Sequence, residues 1–246
     1  MDITTSLITA RLLGQERVMD VTANNIANAN TPGYRTTRVQ FSDWIDNDQD
    51  SNGPPGDKQT IYPQDRATWR ETQPGPITMT SNPYDLAISG DGYFTIATQG
   101  GTRLTRDGRF GVLPDGTIAD SAGNALLGTN GRPIQVPATE TEVHVAGDGT
   151  VSTRNGQIGQ IAVVKPNQPN RMQAEGGTNF IAAGGTTPVE NAGIVQGGME
   201  DSNVRPVLEI SRMLDNERQY QMLTQMIQAE GQRESSAIDK LLPANM

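Results

Sequence analysis

The sequence predicts an α+β protein, in which helices at the two ends of the chain flank a central antiparallel β domain. Apolar residues recur at helical spacing near both termini. The middle of the chain instead carries short strand-like runs separated by Asp-Gly and Asn-Gly pairs, which suit tight hairpin turns. No helical crossovers separate these runs, so a parallel α/β sheet is not expected. We expect the terminal helices to form a coiled-coil-like axial region, and the β domain to be a meander or a small barrel.

The N-terminal axial segment, residues 1–35, is predicted to contain a helix from Asp2 to about Ala29. This stretch lacks proline, and Asp2 offers a cap for its start. Pro32 and Gly33 end the helix, because the residue before a proline disfavours helical geometry and glycine supplies a turn. The apolar residues at helical spacing include Ile3, Leu7, Val18 and Val21.

A linker is predicted over residues 36–60, and a β-rich body over 61–194. The central part of the linker, 43–59, is rich in Asp, Asn, Pro and Gly and cannot bury an apolar face, so a mobile loop is expected. The strand candidates of the body are Asp85–Ile88, Tyr93–Ala97, Arg103–Leu104, Arg109–Leu113, Thr117–Ala119, Glu142–Ala146 and Gln160–Val164. Its turn dipeptides are Asp91-Gly92, Asp107-Gly108, Asp115-Gly116, Asn130-Gly131, Asp148-Gly149 and Asn155-Gly156.

The C-terminal axial region is predicted over 195–246, with a helix from about Asn203 to Leu242. Pro206 is tolerated in the first turn of that helix, and Pro243 ends it. Each terminal helix carries only a narrow apolar stripe and is marginal alone in water, so the stripes are expected to pair with each other or with neighbouring chains. The alternative is that both helices pack on the β body as ordinary surface helices. The C-terminal stripe includes Val207, Ile210, Leu214, Tyr220, Leu223 and Ile227.

An asparagine-rich run, Ala23–Tyr34, forms the end of the first helix and the turn that follows. Asn24 and Asn28 are spaced i to i+4 and are predicted to share one helix face, while Asn25 is turned about 100° away. Amide side chains in such positions can bond across a helix interface and fix its register. The alternative interpretation is a fraying helix end, because asparagine is a poor helix former.

The composition argues against several classes of function. The net charge of -9, without a basic cluster, disfavours nucleic acid and anionic membranes as partners. The chain contains no cysteine, which excludes disulfides and thiolate sites. The single histidine, His144, has no recognisable partners for a catalytic triad or a metal site. Residues 48–53 match the first half of an EF-hand loop, but Gln59 stands where the loop needs a glutamate, so we interpret them as a solvated acidic loop.

Four stretches carry a further signal. They are ANNIANANTPGYR at 23–35, QPGPITMTSNPYDLAISGDGYFTI at 73–96, LTRDGRF at 104–110 and GGMEDSNVRPVLEISRMLDNERQYQM at 197–222. The first resembles the N-terminal motif of the flagellar rod and hook family, the next two resemble the opening of the body in rod proteins, and the last is similar to the family's C-terminal helix motif. They occur in the family's order. The Arg-Pro pair at 205–206 departs from the commonest form of the last motif.

The resemblance implies a structural subunit of the flagellar basal-body rod. Proteins of this family are exported through the flagellar type III apparatus without a cleaved signal peptide, which agrees with the lack of a usual secretory signal at the N-terminus. They assemble helically in the periplasm with other rod proteins and with copies of themselves. Overall length and the variable middle indicate the F type, of the proximal rod, in the drive shaft that transmits torque from motor to hook. The G type, of the distal rod, is the alternative. No cofactor and no membrane insertion are expected.

Two other classes of function stay open from the residues alone. One is a β-rich extracellular binding or adhesion module with helical stalks. The other is an enzyme, which would have to use carboxylates or a Ser/Lys pair, and no motif places these. For the rod subunit, the residues expected at the assembly interface are Leu7, Val18, Val21, Asn24, Asn25, Ala27, Asn28, Thr31, Pro32, Gly33, Tyr34, Val207, Ile210, Leu214, Tyr220, Leu223 and Ile227.

Overall fold

The computed structural model describes residues 3–46, 60–137, 140, 142–190 and 192–241, and it confirms the α+β class. Its helices are α1 (Ile3–Ala27), a short 3-10 helix (Pro169–Arg171) and α2 (Pro206–Leu241). The first nine strands are β1 (Thr37–Asp46), β2 (Thr60–Arg70), β3 (Ile77–Met79), β4 (Leu86–Ser89), β5 (Tyr93–Thr98), β6 (Gly101–Thr105), β7 (Phe110–Val112), β8 (Ile118–Asp120) and β9 (Ala125–Leu126). The others are β10 (His144–Val145), β11 (Thr150–Thr153), β12 (Gly156–Gln160), β13 (Val163–Pro166), β14 (Met172–Ala174), β15 (Asn179–Ala182), β16 (Thr186–Pro188), β17 (Gly193–Gln196) and β18 (Gly198–Glu200).

The chain divides into two compact units. The helical unit consists of Met1–Ala27, Thr37–Glu71 and Arg205–Met246. The β unit consists of Asn28–Thr36 and Thr72–Val204. Among the described residues, no helix combines the length and the apolarity that a membrane span requires.

In the helical unit, α1 and α2 form an antiparallel pair. The Gln15 amide donates to the Asn216 side chain at 3.0 Å, while Asn25 near the end of α1 lies 3.5 Å from Glu209 near the start of α2. One of the two expected partners for the terminal stripes is therefore the other terminal helix of the same chain. That the pair is a coiled coil stays a prediction.

A β-hairpin completes the helical unit and corrects the predicted linker. Strands β1 and β2 pair antiparallel from Thr37 opposite Arg70 to Asp46 opposite Thr60, with a bulge at Gln40. The prediction of a linker over 36–60 is wrong for Thr37–Asp46, because β-branched and aromatic residues in this segment favour a strand and find a partner in β2. The acidic, proline-rich part of the predicted linker, 47–59, lies outside the described residues.

The β unit is antiparallel, as predicted. Its largest sheet has the order β14-β15-β6-β5-β9-β8-β7, with β13 pairing both β5 and β16. A three-stranded sheet β10-β11-β12 and the pairs β17-β4 and β18-β3 complete it. The core is apolar and includes an edge-to-face pair, Phe94 and Phe110, with ring centroids 5.5 Å apart. Burial of this core provides the main stabilisation of the unit.

Turn chemistry explains where the strands end. In five of the six predicted turn dipeptides the glycine adopts a positive φ, which side chains disfavour: Gly92, Gly116, Gly131, Gly149 and Gly156. The sixth, Gly108, is needed for space instead, because a Cβ there would lie 1.6 Å from the carbonyl oxygen of Leu86. The predicted turn glycines thus meet two different needs: five adopt a positive φ, and Gly108 leaves room for a neighbouring backbone.

Several element boundaries differ from the predictions. Six of the strand candidates overlap β4, β5, β6, β7, β8 and β10, but Gln160–Val164 is not one strand, since it spans the end of β12 and the start of β13. The body extends past 194, because β17 and β18 pair with β4 and β3 and keep residues up to Val204 in the β unit. The C-terminal helix begins at Pro206, in the first-turn position where proline is tolerated.

Candidate assembly site

The turn of the asparagine-rich motif is an internal part of the β unit. Pro32, Gly33 and Tyr34 are all buried. The N–H of Gly33 donates to the Glu200 carbonyl at 2.8 Å, and Gly33 has a φ of 68°. A Cβ at this position would lie 2.3 Å from the carbonyl carbon of Arg106, so only glycine fits. The surface expected here for assembly is therefore buried within the chain.

A fully enclosed carboxylate anchors the same segment. Glu200 lies 2.8 Å from the Arg106 guanidinium and 3.4 Å from that of Arg35, and it accepts the N–H of Gly75 at 3.2 Å. Both guanidinium groups also lie against the ring of Tyr93, at 5.4 and 5.8 Å from its centroid. Burial lowers the pKa of the Arg106 guanidinium, and the charge of Glu200 opposes that shift. We call these residues the Glu200 cluster.

Arg106 has backbone partners as well. Its guanidinium donates to the carbonyls of Ile88 at 3.3 Å and Gly90 at 2.6 Å. Beside the cluster, the side chain of Asn203 accepts from the N–H and the hydroxyl of Thr36, each at 2.7 Å. The cluster therefore joins the motif turn, the loop after β4 and the last strand of the β unit.

A second buried carboxylate organises the helical unit. Glu209, in the first turns of α2, lies 3.0 Å from the Arg38 guanidinium and 2.6 Å from that of Arg212. Arg38 also pairs with Glu71 at 2.9 Å. Asn25 completes the set and is fully buried. We call these residues the Glu209 cluster.

Asn25 is the amide of the motif that the structure places at a helix contact. Its side chain both accepts from the N–H of Thr37 and donates to the carbonyl of Thr37, each at 2.9 Å. Asn24 is exposed. The prediction that Asn24 and Asn28 share one helix face is wrong, because α1 ends at Ala27 and Asn28 begins a turn, in which its Oδ1 accepts from the Thr31 hydroxyl at 3.1 Å. An assembly role for these amides stays a prediction.

The apolar residues predicted on α1 are partly covered. Leu7, Val18 and Val21 are half-buried, whereas Ala27 is exposed. The most buried apolar side chain described on this helix is Ile8, at 7% exposure. The apolar stripe of α1 is therefore partly buried by contacts within the helical unit.

The predicted stripe of α2 splits into two faces. Tyr220, Leu223 and Ile227 are half-buried and continue, at helical spacing, the face on which Asn216 contacts Gln15. Three residues nearer the start of the helix are exposed instead: Val207 at 80%, Ile210 at 48% and Leu214 at 50%. We call these three residues the α2 patch, and they remain available for a contact with another chain.

A groove runs beside α1 in the helical unit, with a volume of about 320 Å³. Three valines from α1 and β1 give it apolar surface, and two threonines, two arginines and an asparagine add polar groups. The residues that line it include Val18, Val21, Arg38, Val39, Arg212 and Asn216. Since it is open and lies on the surface formed by both helices and the hairpin, it is a second candidate contact surface.

No catalytic arrangement is evident in the described part of the chain. Within those residues, no three His, Asp or Glu side chains lie together in a way that could hold a metal ion. His144 is exposed on β10. The half match to an EF-hand at 48–53 lies outside the described residues.

The charged clusters are the part of the site that sequence reasoning missed. The partners of Glu200 lie 94 and 165 residues away from it, so no local spacing connects them. A signal was nevertheless present. Arg35, Arg106, Glu200 and Glu209 all fall inside the four quoted motif stretches, among mostly small and turn-forming residues.

Comparison with protein families finds three matches in this chain. Residues 12–35 match the model described as flagella basal body rod protein, and 87–153 match the flagellar hook protein FlgE/F/G D1 domain. Residues 195–240 match the flagellar basal body rod FlgEFG protein C-terminal model. The matched segments cover most of α1 with the motif turn, the first part of the β unit, and α2.

Comparison with curated proteins finds relatives over almost the full length. The chain is 33% identical over 241 residues to the flagellar basal-body rod protein FlgF of Caulobacter vibrioides, with 94% of this chain and 95% of the relative covered. It is 31% identical over 229 residues to FlgF of Mesorhizobium japonicum, with 92% of each covered. It is 29% identical over 247 residues to the rod protein FlgG of Caulobacter vibrioides, with 90% and 92% covered.

Proposed function

The chain belongs to the family of flagellar basal-body rod proteins, and we propose that it polymerises in the rod through the surfaces of its helical unit. It is a structural subunit of the rod, and the F type is favoured over the G type, since the two FlgF relatives are 33% and 31% identical and the FlgG relative is 29% identical. The observation that carries this function is the match over 94% of the chain, which runs through both terminal helices and the β unit.

The finer role follows from the F type. We propose that the protein is part of the proximal rod, within the drive shaft that transmits torque from motor to hook. Its location is the flagellar basal body, and we propose the periplasmic part of that structure. Export through the flagellar type III apparatus, without a cleaved signal peptide, is part of the same proposal. Its partners would be other rod proteins and copies of itself.

The other classes of function receive less support. The relatives are structural proteins, which argues against an enzyme. A binding module with helical stalks would not require the terminal helices to match rod proteins together with the body, as they do over 12–35 and 195–240.

The α2 patch offers a test of the role in assembly. Leu214 is half exposed in the single chain, so Leu214→Asp should leave the fold intact. In an assembled rod the same change would place an unpaired charge in an interface, at a cost on the order of several kcal/mol. We expect a strain carrying Leu214→Asp to lose motility at normal protein levels, with the protein missing from isolated basal bodies.

The control is Gln228→Asp, an exposed polar position further along α2. It should support normal swimming. Normal swimming of the Leu214→Asp strain would show that the α2 patch is not part of the assembly interface. If instead the unmodified chain were absent from basal bodies and dispensable for motility, the role as a rod subunit would be wrong.

A further inference from the structure

We propose that the α2 patch of one copy docks into the groove beside α1 of a second copy. This proposal rests on the function proposed above, since it requires that copies of the chain meet in a polymer. It adds which two surfaces meet and predicts the symmetry of their contact.

The patch is suited to insertion into a groove. Val207, Ile210 and Leu214 follow the i, i+3, i+7 pattern, so their side chains form one ridge of about 10 Å along the helix. Val207 is the most exposed of the large apolar residues of the described chain, at 80%. Exposed apolar groups clustered in this way mark contact surfaces more often than isolated ones do.

The groove has the size and the lining to receive that ridge. Its volume is about 320 Å³, and a cavity of about 150 Å³ is enough for a benzene molecule, so about two aliphatic side chains fit. Val18, Val21 and Val39 provide apolar walls. The ridge would therefore bury its side chains against groups of matching polarity.

The charges on the two surfaces are compatible with the same pairing. Two arginines line the groove, Arg38 and Arg212, and both pair with the buried carboxylate of Glu209, while the Arg212 side chain stays 43% exposed. Next to the patch stands Asp215, whose side chain is 66% exposed and lies 3.5 Å from the Arg218 guanidinium on the same helix. A docked helix would bring this exposed carboxylate toward the exposed part of the Arg212 guanidinium, which would orient the contact.

The α2 patch of one copy cannot dock into the groove of the same copy. Leu214 is two positions from both Arg212 and Asn216, which line the groove, so its side chain points about 200° around the helix from theirs. The contact must therefore be made between copies. Because it joins two different surfaces, the contact is heterologous, which is the type of contact from which an open helical polymer is built. A patch that packed on another patch would instead close as a dimer.

Single-cysteine variants test the contact, since the chain has no cysteine of its own. Cells would co-express Leu214→Cys and Val21→Cys chains with different tags, and isolated basal bodies would be treated with an oxidant. A disulfide requires Cα atoms within about 7 Å, so it reports close contact. We expect a cross-link that joins the two tags, and no dimer when Leu214→Cys is expressed alone.

The matched control is Gln228→Cys, which lies on the same side of α2 as Leu214 but about 21 Å further along the helix. It should not cross-link to Val21→Cys. A dimer formed by Leu214→Cys alone, or incorporation of both variants without a cross-link between them, would overturn the docking while leaving the rod function intact. Absence of the unmodified chain from basal bodies would instead overturn the function on which the docking rests.

A cysteine could also interfere with incorporation. In that event the two purified variants are mixed at high concentration and oxidised. The joint product is again expected, and its absence overturns the docking.

Discussion

Glu200 and Glu209 are both buried carboxylates held by two arginines, but the surroundings of the two clusters differ. Each glutamate has a partner from the segment after α1, Arg35 for Glu200 and Arg38 for Glu209. In the Glu200 cluster the main partner, Arg106, has a side chain that is only 1% exposed. In the Glu209 cluster the side chains of Arg38 and Arg212 are 25% and 43% exposed.

This difference in solvent exposure determines how much stability each cluster loses when one charged partner is removed. Water solvates part of the charge on Arg38 and Arg212, and Arg38 has a second carboxylate partner in Glu71. Among the described residues Arg106 pairs with no second carboxylate, so its buried charge is stabilised by Glu200 and by backbone carbonyls. An enclosed ion pair is sensitive to the loss of one partner, while a half-exposed one is tolerant.

The largest expected effect separates the two clusters directly. Glu200→Gln should destabilise the β unit by about 3–5 kcal/mol, because it leaves two buried guanidinium groups without a counter-charge. Glu209→Gln should cost only about 1–2 kcal/mol, because Arg38 still pairs with Glu71 and the exposed part of Arg212 is still solvated by water. Hydrogen exchange measured by mass spectrometry would report each unit separately. Equal losses in both variants would contradict the role assigned to solvent exposure.

The next effect concerns the turn that packs on the Glu200 cluster. Gly33→Ala should cost about 2–4 kcal/mol, since it combines a positive φ with a Cβ that overlaps the Arg106 backbone. Gly131→Ala is the matched control: its φ of 73° is close to the 68° of Gly33, and no atom lies within 4 Å of the added Cβ. It should cost about 1–2 kcal/mol. Urea midpoints of the two variants would measure the difference, and coincident midpoints would refute the steric argument.

A smaller effect is expected on the side of the Glu209 cluster. Asn25→Ala leaves the N–H and the carbonyl of Thr37 without their side-chain partner and should cost about 1–3 kcal/mol. Asn24→Ala should cost less than Asn25→Ala, because Asn24 is exposed and Asn25 is fully buried. Tryptophan fluorescence suits this measurement, since Trp44 and Trp69 both lie on the hairpin of the helical unit. A larger loss of stability in Asn24→Ala than in Asn25→Ala would show that Asn24, and not Asn25, is the amide that stabilises the helical unit.

The neighbouring amides show where prediction from the sequence stops. Local rules predict the helix before Pro32 and the turn after it, because those depend on residues that are adjacent in the chain. They cannot choose between Asn24 and Asn25, which have the same helix propensity. What distinguishes Asn25 is its tertiary contacts with Thr37 and Glu209, which no local rule predicts.

The same limit applies to the strands and to α2. The glycines of the turn dipeptides were predictable, since a positive φ is a local requirement. The pairing of β17 with β4 was not, because it joins Gly193 to Ser89 across most of the β unit. On α2 the sequence contains one broad set of apolar residues, and only the position of α1 divides it into the half-buried face and the exposed α2 patch.

The smallest expected effect lies next to Arg106 and has a defined pH dependence. Burial raises the pKa of the Asp107 carboxyl above its ordinary value, and the hydrogen bond from the Arg109 N–H only partly offsets this shift. The native state therefore binds a proton more readily than the unfolded state. Above the raised pKa the full cost of burying the charge is present, and this cost disappears as the pH falls below the unfolded value.

Asp107→Asn removes that charge while Asn can still accept the Arg109 N–H. We expect a gain of at most about 1 kcal/mol at neutral pH, and the gain should vanish on acidification. Asp115→Asn provides the opposite case, because hydrogen bonds from Thr117 lower the pKa of the Asp115 carboxyl. Its wild-type charge stabilises the native state above the unfolded pKa, so this variant should be less stable at neutral pH and equal to wild type in acid. Tm values across the pH range would test both directions. A Tm difference for Asp107→Asn that grows as the pH falls would show that the Asp107 charge is stabilised in the β unit rather than disfavoured by burial.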